Sequence, residues 1–238
     1  MVFRMQEMGV QKKAKRNGVS MFEPFDILKR EKGRERIKLL AIVGSQREYG
    51  NSLLLAKEAL KPFHEISYEI IQLAKKKIKF CTLCGRCESM ECPLDDDFNE
   101  ILEGMRDADG IVFACPKYLF KVPTKLLCFL ERLDILSHFR KHPDYVEELR
   151  ADQTLPPPLE GKSCCLFVVT DPGESAEGCL GLLANEIKSL GMKLVPYDSR
   201  LGAHAAGKYR GDVLGDQKGI EDCRRLVRKL IDSISSKT

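Results

Sequence analysis

Apolar residues along the chain occur in short runs that are separated by longer stretches with helical spacing. Five short runs rich in Ile, Leu and Val predict β-strands at residues 37–43, 66–73, 110–115, 164–169 and 193–196. Stretches with an apolar residue every three or four positions predict α-helices at residues 51–62, 98–105, 123–136, 175–190 and 216–235. The run 110–115 carries no polar side chain, which is typical of a strand that is covered on both faces.

The regular alternation of strand and helix predicts an α/β fold with a doubly wound, five-stranded parallel sheet. For five strands, the flavodoxin-like order 2-1-3-4-5 is the natural choice. Ligands of such sheets bind beyond the carboxyl ends of the strands, where the strand order reverses between strands 1 and 3. We therefore look for the candidate site in the loops at that edge.

A single domain is predicted over residues 37–238, because the chain shows no second domain and no internal repeat. A cysteine-rich loop at residues 78–94 follows strand 2. The polar segment 137–160 is interrupted by Pro143 and by Pro156–Pro158, and we expect it to form a long loop or a partial lid.

The loop after strand 1 has the composition of an anion-binding turn. Ser45, Asn51 and Ser52 can donate hydrogen bonds, and Arg47 offers a charged fork. Gly50 permits a tight turn before a helix whose first N–H groups point at the ligand. The spacing matches neither the Walker A motif nor the glycine pattern of dinucleotide folds, and it suits one terminal phosphate. The plain alternative is a polar turn with a surface arginine.

The loop after strand 3 leaves the sheet at the same edge and could hold a flat heteroaromatic ring. Its aromatic side chains offer apolar walls, its backbone offers polar groups, and two prolines stiffen it. The candidate ring-binding residues are Pro116, Lys117, Tyr118, Leu119, Phe120 and Lys121. The alternative is a connection whose aromatic residues pack inward.

Four of the chain's ten cysteines fall within twelve positions: Cys81, Cys84, Cys87 and Cys92. The spacing C-x2-C-x2-C-x4-C-P differs by one residue in its last spacer from the run that holds iron–sulfur clusters in bacterial ferredoxins. A [4Fe–4S] cluster is therefore the leading interpretation, and the alternatives are zinc, redox thiols or no metal. Structural zinc sites more often pair two C-x2-C motifs across a longer gap.

The other six cysteines lie in apolar or helical contexts, so we expect small buried side chains without chemistry. They are Cys115, Cys128, Cys164, Cys165, Cys179 and Cys223.

Basic residues flank the cysteine-rich loop and could offset the charge of a cluster or attract an acidic partner, although a solvated basic stretch is the simpler interpretation. They are Lys75, Lys76, Lys77, Lys79 and Arg86.

Composition narrows the class of protein. The net charge is +4, the mean hydropathy is −0.25, and no apolar stretch is long enough to span a membrane. The start does not resemble a secretory signal, so a cytoplasmic protein with reduced thiols is expected. Residues 1–36 form a basic extension, which we interpret as a solvated arm or an arm that docks in an oligomer. Nothing in the pattern indicates binding to nucleic acid or to a membrane.

Taken together, the chain resembles the iron–sulfur flavoproteins, within the NADPH-dependent FMN reductase branch of the flavodoxin-like fold. Three segments carry the resemblance across residues 37–235: Ser45-x-Arg47-x-x-Gly50-Asn51-Ser52, the cysteine run followed by Asp96-Asp97, and Ala108-Asp109-Gly110-Ile111-Val112-Phe113 leading into Pro116-x-Tyr118. The resemblance implies FMN, a [4Fe–4S] cluster, a homodimer or homotetramer, and ferredoxin as a typical electron donor.

The resemblance also implies a third flavin-binding loop after strand 4, with Thr170, Asp171 and Gly173 as its candidate residues. This loop lacks the fuller glycine pair that is often seen there. Gln46 and Lys117 also depart from the family pattern, which usually has proline at the first position and a small or apolar residue at the second.

The leading functional hypothesis is an oxidoreductase that moves electrons between the cluster and FMN, with ferredoxin or NAD(P)H as donor. One alternative is an NAD(P)H-dependent flavin, quinone or azo reductase with structural zinc. Another is a non-catalytic protein that senses a phosphorylated ligand. No acid–base or nucleophilic residue is identified, and His138 and His142 are interpreted as surface residues.

Overall fold

The computed structural model describes residues 36–84, 86–87, 91–119, 121–141 and 159–236. The predicted basic extension, apart from Arg36, lies outside the described residues. So do Phe120, His142 and most of the predicted insertion at 137–160.

The described residues form a parallel sheet whose strand order confirms the predicted flavodoxin-like topology. The order is β2-β1-β3-β4-β5, and a sixth strand also pairs with β4. All of these pairings are parallel. The strands are β1 Lys38–Val43, β2 Ser67–Gln72, β3 Gly110–Pro116, β4 Ser163–Thr170, β5 Lys193–Leu194 and β6 Ala203–Ala206.

Helices cover both faces of the sheet. They are α1 Asn51–Leu60, α2 Phe98–Asp107, α3 Thr124–Lys141, α4 Glu177–Ser189 and α5 Gln217–Ser235. Single turns of 3-10 helix follow β2 at Leu73–Lys75 and precede α5 at Asp212–Gly215.

Strand β3 shows how the two layers of the core are divided. Ile111 and Phe113 point to the face that α2, α3 and α4 cover, whereas Val112 and Ala114 point to the face that α1 and α5 cover. All four side chains are fully buried. The continuous apolar run therefore reflects burial on both sides, as the sequence indicates.

The fifth strand differs from the prediction of one strand over residues 193–196. Strand β5 contains only Lys193–Leu194. The N–H of Val195 still donates to the carbonyl oxygen of Cys164 in β4, but the next N–H on that side, that of Tyr197, donates to Arg200 instead. The chain then makes a tight turn at Tyr197–Arg200 and returns to β4 as β6, which the sequence analysis missed. Gly202 permits this return, since a Cβ there would lie 2.6 Å from the carbonyl oxygen of Leu166.

Helix α3 is also longer than the predicted 123–136. It continues to Lys141, so the first residues of the predicted 137–160 loop are helical.

Candidate functional site

The loop after β1 turns sharply at the carboxyl edge of the sheet. The N–H of Gly44 donates to the carbonyl oxygen of Ala114 in β3 at 2.8 Å, which continues the ladder beyond the strand. The buried Ser45 hydroxyl accepts from the N–H of Arg47 at 3.1 Å. A Cβ on Gly50 would lie 2.8 Å from the Ser45 Oγ, so a side chain there would fill the turn.

Ser52 carries a buried hydroxyl in the first turn of α1. The residue is 1% exposed, and its Oγ has no hydrogen-bond partner among the residues that the structure describes. The N–H groups of Leu53 and Leu54 donate to the Gly50 carbonyl oxygen, whereas those of Asn51 and Ser52 have no acceptor within the helix. An unpaired hydroxyl beside these N–H groups fits a phosphate group, which accepts several hydrogen bonds.

The predicted phosphate residue Asn51 directs its side chain elsewhere. Its Nδ2 donates to the carbonyl oxygens of Gly207 at 3.0 Å and Tyr209 at 2.8 Å. Its Oδ1 accepts from the N–H of Gly211 at 2.8 Å. The Asn51 side chain thus ties the phosphate loop to the segment 207–211 that follows β6.

Positive charge gathers around this loop. The predicted ligand Arg47 is exposed, so its guanidinium can move toward an anion. The ring of Tyr49 lies 5.5 Å from the Lys75 ammonium and 5.2 Å from the Arg210 guanidinium, within the range of cation–π attraction.

The loop after β3 forms a tight turn between Tyr118 and Lys121. These residues exchange two backbone hydrogen bonds, of 3.0 and 2.9 Å. Leu119 occupies the tip with φ +56° and is 85% exposed. A large apolar residue in a left-handed conformation is uncommon, and such strain gathers at functional sites. Pro116 ends β3 just before this turn.

Lys117, another predicted ring-binding residue, joins two loops at this edge. Its ammonium lies 2.7 Å from the Glu174 carboxylate and donates to the carbonyl oxygen of Ser175 at 3.0 Å. Only 5% of its side chain is exposed. The N–H of Lys117 donates to the carbonyl oxygen of Val169 in β4 at 2.8 Å. Lys117 therefore fixes the loop after β3 against the loop after β4.

The predicted third loop begins at Thr170, which is buried at the end of β4. The Thr170 carbonyl accepts from the N–H of Gly207 at 2.8 Å. Asp171 and Glu174 then close a turn in which Gly173 has φ +81°. The three predicted flavin loops thus meet at one edge of the sheet, and their contacts with a flavin stay predictions.

The cysteine-rich loop follows β2 and is anchored by two aspartates. Asp97 accepts from the N–H of Lys77 at 2.5 Å, and Asp96 accepts from the N–H of Lys79 at 2.7 Å. Asp97 is also the N-cap residue of α2, but its side chain makes no capping bond. The carboxylates therefore hold the entrance of the cysteine-rich loop.

The four cysteines of the run share one neighbourhood. Burial, together with the charges of the other three thiols, raises the pKa of Cys87 to about 11. A hydrogen bond from the backbone N–H of Arg86 lowers the pKa of Cys84 below its usual value. Gly85 and residues 88–90 lie outside the described residues. Within the described part of the chain, no three His, Cys, Asp or Glu side chains are arranged to hold a metal ion.

The donor set nevertheless fits an iron–sulfur cluster. Four thiols on one loop supply the ligands that a [4Fe–4S] cluster requires, and Cys81, Cys84 and Cys87 are only partly buried. Cys92 is held from both sides by Asn99, which accepts from the Cys92 N–H at 2.9 Å and donates to its carbonyl oxygen at 2.8 Å. One ligand position is therefore fixed in place.

A cleft of about 300 Å³ separates the phosphate loop from the cysteine-rich loop. Gln46 of the phosphate loop lines one side, and Ile78 and Phe80, just before Cys81, line another. Thr124 and Cys128 of α3 complete the wall. The phosphate loop and the segment just before Cys81 therefore border one cleft.

Sequence reasoning missed two features of the site. The segment 207–211, which binds the Asn51 side chain, could have been noticed as a basic stretch between two glycines. Arg132 lies under the cysteine-rich loop. The sequence could have indicated its role, because Arg132 is a charged residue on the apolar stripe of α3 that includes Phe129 and Leu133. The six scattered cysteines are all buried, as predicted.

No helix in the described part of the chain is both long and apolar enough to cross a membrane.

Comparison with known proteins places this geometry in a family context. An iron-sulfur flavoprotein of Methanocaldococcus jannaschii is 40% identical over 99 residues, which cover 40% of this chain and 51% of the relative. The chain therefore spans about half the length of that relative. An iron-sulfur flavoprotein of Archaeoglobus fulgidus is 27% identical over 204 residues, which cover 84% of this chain and 82% of the relative.

Among solved structures, the fold is similar to RosB in its crystal structure with bound 8-demethyl-8-formylriboflavin-5′-phosphate. The TM-score is 0.65 at 19% identity, over 84% of this chain and 79% of RosB. This likeness confirms the flavodoxin-like fold.

The sequence itself matches the NADPH-dependent FMN reductase family over residues 37–169. This segment contains the phosphate loop, the cysteine-rich loop and the loop after β3. The predicted resemblance is therefore confirmed, and the chain belongs to the NADPH-dependent FMN reductase family, a family of flavin-dependent oxidoreductases.

Proposed function

We propose that this protein is an iron–sulfur flavoprotein that moves electrons between a [4Fe–4S] cluster and FMN. The observation that carries the proposal is the cleft that Gln46 of the phosphate loop and Phe80 of the cysteine-rich loop both line. It brings the loop of each candidate site to the edge of one cleft. The relatives named iron-sulfur flavoproteins support the same combination.

The phosphate of FMN fits the first turn of α1. Ser52 supplies an unpaired buried hydroxyl, the helix supplies the N–H groups of Asn51 and Ser52, and Gly50 leaves the turn open. The exposed guanidinium of Arg47 can approach the phosphate from the solvent side and form an ion pair with it. These residues bind and orient one end of the cofactor.

The ring system of FMN fits beside the turn after β3. Leu119 and Tyr118 offer an apolar surface there, and the Lys117–Glu174 ion pair holds the loop in place. Because Lys117 is committed to that pair, its role is to position the loop rather than to touch the ring.

When bound, FMN supplies both one- and two-electron chemistry, and a [4Fe–4S] cluster supplies one-electron chemistry. The ligands proposed for the cluster are Cys81, Cys84, Cys87 and Cys92. The exposed side chains of Phe80 and Leu83 beside them, each 69% exposed, could shield the cluster from water once a partner or a second copy covers them.

The test is a Cys84→Ser substitution, analysed for iron and flavin after oxygen-free purification. The expected result is loss of iron with retention of FMN, because the phosphate loop makes its own contacts. Cys128→Ser is the matched control, since Cys128 lines the same cleft but is not a proposed ligand. It is expected to retain both cofactors.

Iron retained in Cys84→Ser, or lost equally in Cys128→Ser, would contradict the proposed ligand set. Zinc in place of iron in the unaltered protein would favour a reductase with a structural metal instead.

We further propose ferredoxin or NAD(P)H as electron donor, a homodimer or homotetramer as the assembly, and the cytoplasm as the location. Reduction of the flavin under argon by reduced ferredoxin or by NADPH, measured by absorbance, discriminates the donors. A protein that neither donor reduces would contradict this part of the proposal.

A further inference from the structure

Arg132 of α3 is a buried cation beneath the cysteine-rich loop. The residue is 2% exposed, and its guanidinium lies 4.1 Å from the centroid of the Phe98 ring. Burying a cation is costly unless it is paired and hydrogen-bonded. The guanidinium of Arg132 therefore needs a counter-charge and hydrogen-bond acceptors around it.

The first partner of Arg132 is the Asp96 carboxylate, which it binds with both ends of its fork. The distances are 2.5 Å from NH1 to Oδ2 and 3.1 Å from NH2 to Oδ1. Each Asp96 oxygen also accepts a backbone N–H, from Phe98 at 3.2 Å and from Lys79 at 2.7 Å. The carboxylate is thus saturated and neutralises the cation.

The remaining contacts of Arg132 point to the cysteine-rich loop. Its NH1 also donates to the carbonyl oxygen of Lys79 at 3.2 Å, two residues before Cys81. Although burial alone would lower it, the interactions with Asp96 and with the nearby Cys92 thiol raise the pKa of Arg132. Its Nε is buried and has no partner among the described residues.

A purely structural role does not explain these contacts well. A buried ion pair adds little stability compared with apolar side chains of similar volume, and a buried N–H without a partner is destabilising. An anionic group at the cysteine-rich loop would give the surplus donors a partner. The thiolate of Cys92 and the sulfur atoms of a cluster have that character.

We propose that Arg132 is a positioning residue that donates a hydrogen bond to the Cys92 thiolate of the iron–sulfur cluster and thereby raises the cluster's reduction potential. Reduction adds negative charge to the cluster, so a donor to its sulfur stabilises the reduced form more than the oxidised form. Asp96 holds the guanidinium in the required orientation. This inference rests on the proposed function.

The test is an anaerobic redox titration of the cluster, followed by electron paramagnetic resonance, in Arg132→Lys. Lysine keeps the charge for Asp96 but lacks the Nε–H and the second amino group of the guanidinium. The expected result is at least a tenfold shift of the equilibrium toward the oxidised cluster, or about 59 mV lower for a one-electron couple.

A second variant guards against loss of folding. Arg132→Met combined with Asp96→Asn removes the cation without leaving an unpaired carboxylate, and it is expected to lower the potential at least as much. The control is Lys76→Met, which removes a partly exposed cation of the same segment that pairs with Glu100. In this control, the equilibrium between the oxidised and the reduced cluster should change by less than twofold.

Thermal unfolding of the cluster-free variants separates the two roles. A lower melting temperature with an unchanged potential in both Arg132 variants would show a structural role only and would overturn the inference.

Iron and sulfide analysis of the unaltered protein comes first. Absence of both would overturn the proposed function and this inference with it, whereas a loaded cluster with an unshifted potential overturns the inference alone.

Discussion

The hydroxyl of Ser52 shows how a single residue can mark a binding site. It is buried in the first turn of α1 without a partner among the described residues, which costs about 1–3 kcal/mol in a protein that has no ligand there. The sequence predicts this residue from its place after the first strand. It does not distinguish Ser52 from Asn51, whose side chain faces another loop, because short motifs fix residue type but not side-chain direction.

Replacing Ser52 by Ala is expected to weaken FMN binding by about 1.5–3 kcal/mol, the scale of a hydrogen bond to a charged group. The stability of the flavin-free protein should not fall, because the hydroxyl makes no bond within the protein. Fluorescence titration of the flavin-free protein with FMN, together with urea unfolding, measures both quantities. Ser137→Ala, a buried serine on α3 that donates to the Leu133 carbonyl oxygen, is the control and should leave FMN affinity unchanged.

Asn51→Ala should behave differently. It removes three hydrogen bonds to the segment 207–211, so the free energy of unfolding of the flavin-free protein is expected to fall by about 1–3 kcal/mol. Urea unfolding checks this. Unchanged stability with weakened FMN binding would instead make the Asn51 side chain a direct phosphate ligand.

At the scale of elements, strand and helix positions were predictable wherever the apolar pattern was continuous. The wholly apolar β3 and the amphipathic α5 fall close to their predicted bounds. The fifth strand was not predictable in full, because its second piece, Ala203–Ala206, is three alanines and His204, and its strand geometry comes from pairing with β4. Contacts distant in sequence decide such a strand, and local propensity does not.

Asp216 links β6 to α5, so removing its carboxylate should destabilise both elements. One carboxylate oxygen caps α5 by accepting from the Gly219 N–H at 3.0 Å, and the other accepts from the Ala206 N–H at 2.7 Å. Asp216→Ala is expected to lower the free energy of unfolding by about 1–2 kcal/mol, as measured by urea unfolding. Asp232→Ala, exposed on the same helix, should change it by less than about 0.5 kcal/mol. Equal effects would show that the cap contributes nothing.

For the whole molecule, the Asp96–Arg132 ion pair joins α3 to the segment that carries the cysteines. Although burial alone would raise it, hydrogen bonds from Arg132 and from two backbone N–H groups lower the pKa of Asp96 below its usual value. A carboxyl with a lowered pKa in the folded state stabilises the protein above its unfolded pKa of about 3.9, and this stabilisation is lost as the pH falls through the folded value. The sequence could not show this pair, since its members are 36 residues apart.

We therefore predict that the free energy of unfolding differs between the wild type and Asp96→Asn, and that this difference depends on pH. In the cluster-free protein, the wild type should be the more stable at pH 7 and pH 5, with a similar margin at both. That margin should shrink at pH 3.5, as measured by urea unfolding. Asp95→Asn, an exposed neighbour, should show no such margin. A margin that does not change down to pH 3.5 would contradict the role given to the Asp96 charge.

The central claim is that one chain holds FMN and an iron–sulfur cluster at adjoining sites. The most direct measurement is the iron, acid-labile sulfide and FMN content per chain of the full-length protein, prepared without oxygen and reconstituted with all three. We predict one FMN with about four iron and four sulfide, the composition of a [4Fe–4S] cluster. FMN bound in full with neither iron nor sulfide would contradict the account.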